Sequence, residues 1–137
     1  MSLLYYRPPQ NMAAEKLQLI IESEIPDQQL EIFYSIEGLS DRLSQSARGN
    51  CTAVILAANI NDLESLFTLK NLLTDIRIIL ILPDRSEEVI SMGYKLRPRF
   101  LSYMDSEFGE VAVVLKKMIE LMKGNINGNY TLNPKSN

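Results

Sequence analysis

Histidine is absent from these 137 residues, and cysteine occurs once, at Cys51. The first absence removes the commonest general base and metal ligand. It also excludes Ser-His and Cys-His nucleophile pairs within one chain. A lone cysteine closes no intrachain disulfide, and with no histidine beside it a structural zinc site has no basis. A Gly-rich phosphate loop of the Walker or dinucleotide type is missing, as are paired carboxylates at strand ends. The expectation is a protein that is not an enzyme, binds no metal and carries no cofactor.

Long apolar runs are missing too. None approaches the roughly 18 to 20 residues needed to span a bilayer. The opening "MSLLYYRPPQ" has neither a cationic n-region nor an adequate h-region, which argues against a signal peptide and for a cytoplasmic location with no membrane partner. Concentrated positive charge is also lacking. Fourteen Lys and Arg stand against seventeen Asp and Glu, for a net charge of −3. The basic residues are spread along the chain, a poor footprint for nucleic acid.

What is present is a rhythm of short apolar runs alternating with amphipathic segments. "LLYYR" (3–7) reads as a strand stopped by Pro8-Pro9, and "NMAAEKLQLIIESEIP" (11–26) as a helix closed by Pro26. "QLEIFYS" (29–35) is a second strand. Ser35 caps a helix with Ile36, Leu39 and Leu43 on its apolar stripe, and "ARGN" (47–50) is a turn. "CTAVILAA" (51–58) is nearly unbroken apolar sequence, as expected of a strand covered on both faces. Asn61 with Glu64 predicts a capping box for a helix over 61–73.

"DIRIILILP" (75–83) gives a fourth strand. Asp84 and Glu87 repeat the box before a helix over 85–92, with Gly93 suited to its C′ position. "RPRFLSYM" (97–104) gives a fifth strand. The last helix, 107–123, carries Glu near its start and Lys towards its end, matching the helix dipole. The remainder, 124–137, has no period and reads as a flexible C-terminal tail. Strand-helix alternation with short loops and right-handed crossovers implies one α/β domain over 1–123. The expected architecture is a flavodoxin-like (βα)5 three-layer sandwich around a parallel five-stranded sheet in order 2-1-3-4-5.

From Leu3 to Lys123 the chain resembles the receiver domain of bacterial response regulators, in length, in (βα)5 rhythm and in several strings. "AVILAANIN" is similar to the receiver's third strand; aligned through Asn59 and Ile60, the phosphate-accepting Asp of the family falls at Ala57. "IILILPD" is similar to the fourth strand, with Pro83 where the family carries Thr or Ser. "FLSYMD" is similar to the fifth, with Phe100 keeping the family's aromatic and Tyr103 in place of its Lys. The acidic pair that holds Mg²⁺ is met by Tyr6, Arg7 and Pro8. The resemblance implies a degenerate receiver: a non-catalytic signalling module of the two-component kind, acting through an unidentified protein partner.

Several residues carry two readings. Arg7 either points into the former acidic pocket, where it binds an anion, or is a surface arginine at a strand end. Asn59, Asn61 and Asp62 either offer hydrogen bonds at the pocket rim or serve as turn and N-cap residues. The alternative function built on these residues is a small-molecule or nucleotide sensor using the crevice at the carboxyl ends of strands 1 and 3.

Lys95, Arg97 and Arg99 in "YKLRPRF" (94–100) are expected to project to one side, because Pro98 biases Arg97 towards an extended conformation. They form either a docking surface for an acidic partner or the charged protection of an edge strand. On the last helix, Val113, Ile119 and Leu121 fall outside the core stripe of Phe108, Val111, Val114, Leu115, Met118 and Met122. With the basic cluster and Phe100 they mark a face made by helix 4, strand 5 and helix 5, the usual dimer or output surface of receivers. Homodimerisation through that face is the expectation.

Overall fold

The computed structural model describes residues 2–25, 30–45 and 51–127. The chain alternates β1 (Ser2–Tyr6), α1 (Met12–Glu24), β2 (Leu30–Phe33), α2 (Ile36–Leu43), β3 (Cys51–Leu56), α3 (Ile60–Phe67), α4 (Lys70–Leu73), β4 (Arg77–Leu82), α5 (Glu87–Tyr94), β5 (Phe100–Tyr103) and α6 (Gly109–Asn127). The five strands form one all-parallel sheet in order β2-β1-β3-β4-β5, a flavodoxin-like arrangement. No helix among the described residues is long and apolar enough to cross a membrane.

Strand alternation divides the core into two layers. Leu3, Tyr5, Val54, Leu56, Ile79 and Ile81 face α1 and α6, where they meet Leu17, Ile21, Val111 and Leu115. Leu4, Tyr6, Ala53, Ile55, Leu80 and Leu82 face the opposite layer, meeting Leu39, Leu43, Leu63, Leu66 and Val89. Every residue of β3 is buried, which explains its unbroken apolar sequence: a central strand has no solvent face on which a polar residue could alternate. The edge strands β2 and β5 are only partly buried, consistent with their mixed composition.

Several helix ends differ from the sequence expectation. The segment 61–73 is two helices, because the N–H groups of Thr68 and Leu69 fall back on the carbonyls of Ser65 and Leu66 in tighter turns. Its N-cap is Asn59 rather than Asn61. Ser86 caps α5, while Asp84 accepts the Ser86 N–H just ahead of it; that bond holds the Asp84 carboxyl below the usual range.

Gly93 is not a C′ residue. It lies inside α5, packed on β4 so closely that a Cβ there would sit 3.0 Å from Leu82 Cδ2. The left-handed residue at the end of α5 is Arg97, at φ 55°. The N–H groups of Lys95, Leu96 and Arg97 bond the carbonyls of Met92, Gly93 and Tyr94, winding the chain off the helix before Pro98. The extended conformation expected of Arg97 is therefore overturned. Lys95 caps a helix, Arg97 ends a turn, and Arg99 gives its N–H to Ile78 beside the sheet, so the three do not share one strand face.

Ile119 is 4% exposed, inside the α1–α6 layer, contrary to its expected place on the surface. It stands one helical turn beyond Leu115, so the core stripe simply continues through it. Val113 and Leu121 are exposed as expected. Helix α6 continues to Asn127, past the expected boundary at 123, and the rest of the tail lies outside the described residues, as does the "ARGN" turn.

Candidate functional site

In a parallel sheet of this order the crevice outside the carboxyl ends of the strands, where the order reverses, is the usual place for chemistry. Here that edge carries Tyr6 and Arg7 after β1, Ala57 to Asn59 after β3, Pro83 after β4 and Tyr103 at the end of β5.

Arg7 neither points into the crevice nor lies on the surface. It is 1% exposed, and its guanidinium turns back over the start of α1. Nε donates to Pro8 O at 3.0 Å, and Nη2 to Pro9 O at 2.9 Å and to Glu15 Oε2 at 2.7 Å. Nη1 donates to Gln18 Oε1 at 2.9 Å. The Tyr34 ring centroid lies 5.3 Å from the guanidinium carbon. Four of its five N–H groups are thus engaged within the protein, so the anion-binding reading of Arg7 loses its donor. The Arg7 bond in turn holds the Glu15 carboxyl below its ordinary range. The local cause is the Pro8-Pro9 step. It turns the chain straight from β1 into α1, leaving two carbonyls that need donors and bringing Glu15 and Gln18 within reach.

Tyr5 and Tyr6 point to opposite layers. The Tyr5 hydroxyl donates to Ala14 O at 2.9 Å, and burial raises its pKa well above the ordinary tyrosine value. Tyr6 is pushed up to about 12, first by burial and then by the charge of Asp62. A raised folded pKa means that the neutral phenol is preferred in the fold. The resulting stability is fully present below about 10, the unfolded value, and is lost as pH rises through the folded value. The expected result is that two of the six tyrosines resist ionisation until the fold opens. Tyr6→Phe should flatten the alkaline limb of a stability-versus-pH curve measured with tyrosinate absorbance alongside. An alkaline limb identical in parent and variant would remove Tyr6 from this account.

The centre of the edge is closed. Ala57 is fully buried among the apolar residues of the α2–α5 layer, and its N–H goes to Ile81 O at 3.0 Å. Asn59 Oδ1 accepts the Asp62 N–H and Asp62 Oδ2 accepts the Ala58 N–H, both at 2.9 Å. These two side chains tie the turn between β3 and α3 to itself, which is the capping role. Pro83 is half-buried and offers neither a hydroxyl nor an N–H. The rim beyond it is held by a pair that sequence reasoning missed. Arg85 lies 4.2 Å from the Tyr103 ring centroid and bonds both oxygens of Asp105, at 2.8 and 2.6 Å. Those residues are twenty apart in sequence, and no local pattern announces them.

Among the described residues no group of three or more His, Cys, Asp or Glu is placed to hold a metal ion. The edge therefore brings together Tyr6, Ala57 and Asp62, keeps Asn59 as a cap, and sends Arg7 elsewhere. Phe100 packs on the α1–α6 layer, whereas Lys95 and Arg97 lie at the other end of the sheet, ahead of β5. No protein-family model matches this chain, and no curated protein matches it.

Proposed function

We propose that this chain is a non-catalytic, receiver-like signalling module that works through protein–protein contact. The observation that supports the reading is the end of β3, where Ala57, the residue that the resemblance aligns with the phosphate acceptor of receivers, is a buried methyl group. Phosphoryl transfer to a receiver needs a carboxylate nucleophile, hard oxygen ligands for Mg²⁺, and a hydroxyl and a cation to settle the transferred oxygens. Ala57 and the Tyr6-Arg7-Pro8 stretch supply no carboxylate, Pro83 no hydroxyl and Tyr103 no cation. Arg7, the one cation among them, is held by Glu15, Gln18 and two carbonyls.

Contact with a partner is the activity left to such a domain, and the surface around β5 supports it. Tyr94 on α5 is 63% exposed, and Val113 and Leu121 on α6 are 55% and 67% exposed. On α6, Lys116 reaches Glu24 of α1. Leu121 lies roughly opposite Lys116 around the helix, on the side towards the β5 edge. Leu121 is thus turned towards β5, an edge strand with no further neighbour among the described residues, while Val113, one turn before Lys116, extends the apolar patch across the exposed side of α6; the combination suits a second protein surface. Self-association through α5, β5 and α6 is the form we propose. Val113→Glu combined with Leu121→Glu should convert a dimer to a monomer in sedimentation while leaving the circular dichroism spectrum unchanged. Ile119 belongs to the core and is unsuited to such a test. A parent that sediments as a monomer at high concentration, or a double variant that stays dimeric, would sink this surface.

A further inference from the structure

At the end of the sheet opposite Ala57, where α4 leads into β4 and α5 leads into β5, lies a cavity of about 270 Å³. Lys70, Asn71, Thr74, Lys95 and Arg97 line it over a floor of buried Leu73 and Leu96. We propose that this cavity binds a small polyanion of the diphosphate class.

Three cations share one concavity, and among the described residues none of them takes part in an ion pair, although the Lys70 ammonium also lies 5.1 Å from the Phe67 ring centroid. Like charges brought together cost free energy unless an anion joins them. Helix capping does not account for the two that follow α5, because its last carbonyls are already taken by the main-chain N–H groups of Lys95, Leu96 and Arg97. Of the two neutral polar side chains, Thr74 is occupied, since its hydroxyl donates to Lys70 O at 3.1 Å. Asn71 is exposed at the cavity, where its amide can donate to a ligand. The recognition set is thus one planar guanidinium, two ammonium groups and one amide. A guanidinium grips phosphate oxygens in pairs while ammonium groups act as movable point charges.

Arg97 adds an independent observation. It occupies the left-handed region at φ 55°, where glycine is the unstrained residue at the end of a helix. An arginine there strains the backbone and places its side chain at the cavity wall. Charge points to the ligand class, and the volume, close to the lower end of the roughly 300 to 1,000 Å³ typical of small-molecule sites, leaves room for it. A diphosphate group fits within that space and matches the count of cations.

The test uses the full chain and inorganic pyrophosphate at up to about 1 mM, followed by amide chemical shifts and calorimetry. ADP and a short glutamate-rich peptide serve as comparison arms. Pyrophosphate should perturb the amides of residues 70–74 and 95–97 and bind more weakly as salt is raised. Binding of ADP at the same amides would identify a nucleotide as a source of the diphosphate. Arg97→Gly should weaken pyrophosphate at least about tenfold and raise the melting temperature by roughly 3 °C. Lys95→Gln, which leaves the backbone alone, should weaken binding without that rise. Unaltered affinity in both variants would overturn the proposal, as would a peptide that binds where pyrophosphate does not; that outcome would make the cluster a docking surface for an acidic protein. The dimer face is read out separately by sedimentation, so either idea can fail alone.

Discussion

Ala57→Asp is expected to lower the melting temperature by roughly 10 °C at neutral pH and to leave the chain unable to take up phosphate. The position is fully buried, and its side chain lies in an apolar layer. A carboxylate placed there loses its water and gains no cation, because Arg7 is turned over α1 and bound to Glu15. It also stands beside the turn in which Asp62 accepts the Ala58 N–H, so a second negative charge is already close. Burying such a group without a partner costs about 3 kcal/mol.

The sign of the pH dependence follows from the same neighbours. Burial and Asp62 both raise the folded pKa of the introduced carboxyl above its unfolded value of about 3.9. The ionisation part of the cost is therefore absent in acid, where both states are protonated, and grows as pH rises towards the folded pKa. Melting parent and variant at about pH 5 and about pH 8 should show the larger gap at the higher pH. Intact mass spectrometry after incubation with a small acyl phosphate and Mg²⁺ should show no added mass in either protein. Stoichiometric phosphate on the variant would mean that the crevice retains phosphoryl chemistry, and the non-catalytic reading would be abandoned. The same follows if the parent gains phosphate on another carboxylate, such as Asp62 or Asp84.

Arg7→Ala should destabilise the fold by about 3 kcal/mol, the other large effect expected in this molecule. The change leaves the Pro8 and Pro9 carbonyls without their donors, releases Gln18 and Glu15, and opens a gap below Tyr34. Arg7→Lys should recover little, since an ammonium cannot reach four acceptors spread around a planar guanidinium. Urea unfolding of both variants measures the loss; a loss under about 1 kcal/mol for alanine would show the network to be ornamental.

The Arg7–Glu15 bond also shapes the acid limb. Because the folded pKa of Glu15 is depressed, its contribution is present above the unfolded value of about 4.3. It disappears as pH falls through the lower folded value. Glu15→Gln should remove that part of the acid sensitivity, whereas Arg7→Ala weakens the fold across the whole range.

Much of this was legible in the sequence because strand and helix periods leave direct marks. "CTAVILAA" and "RIILIL" could not alternate, as both faces of β3 and β4 are covered, and that alone placed them at the centre of the sheet. The residue types at the strand ends were legible for a simpler reason. A methyl group at position 57, no histidine and a proline at position 83 are facts of composition, and no arrangement of neighbours can turn them into a nucleophile or a base.

Direction and hand were decided only by the tertiary structure. The sequence places Arg7 at a strand end but does not say that Pro8-Pro9 will turn the chain so sharply that α1 captures its guanidinium. Pro98 argues for an extended Arg97, yet three successive turn bonds after α5 make it left-handed, because the chain must leave Gly93 pressed against Leu82 and still reach the edge of β4. Ile119 looks like surplus on an amphipathic wheel until α1 is set against α6 and the layer closes over it. Periodicity records how often a residue faces inward; which neighbour fills the space, and which way a charged side chain turns to find its partner, depends on contacts between segments far apart in the chain.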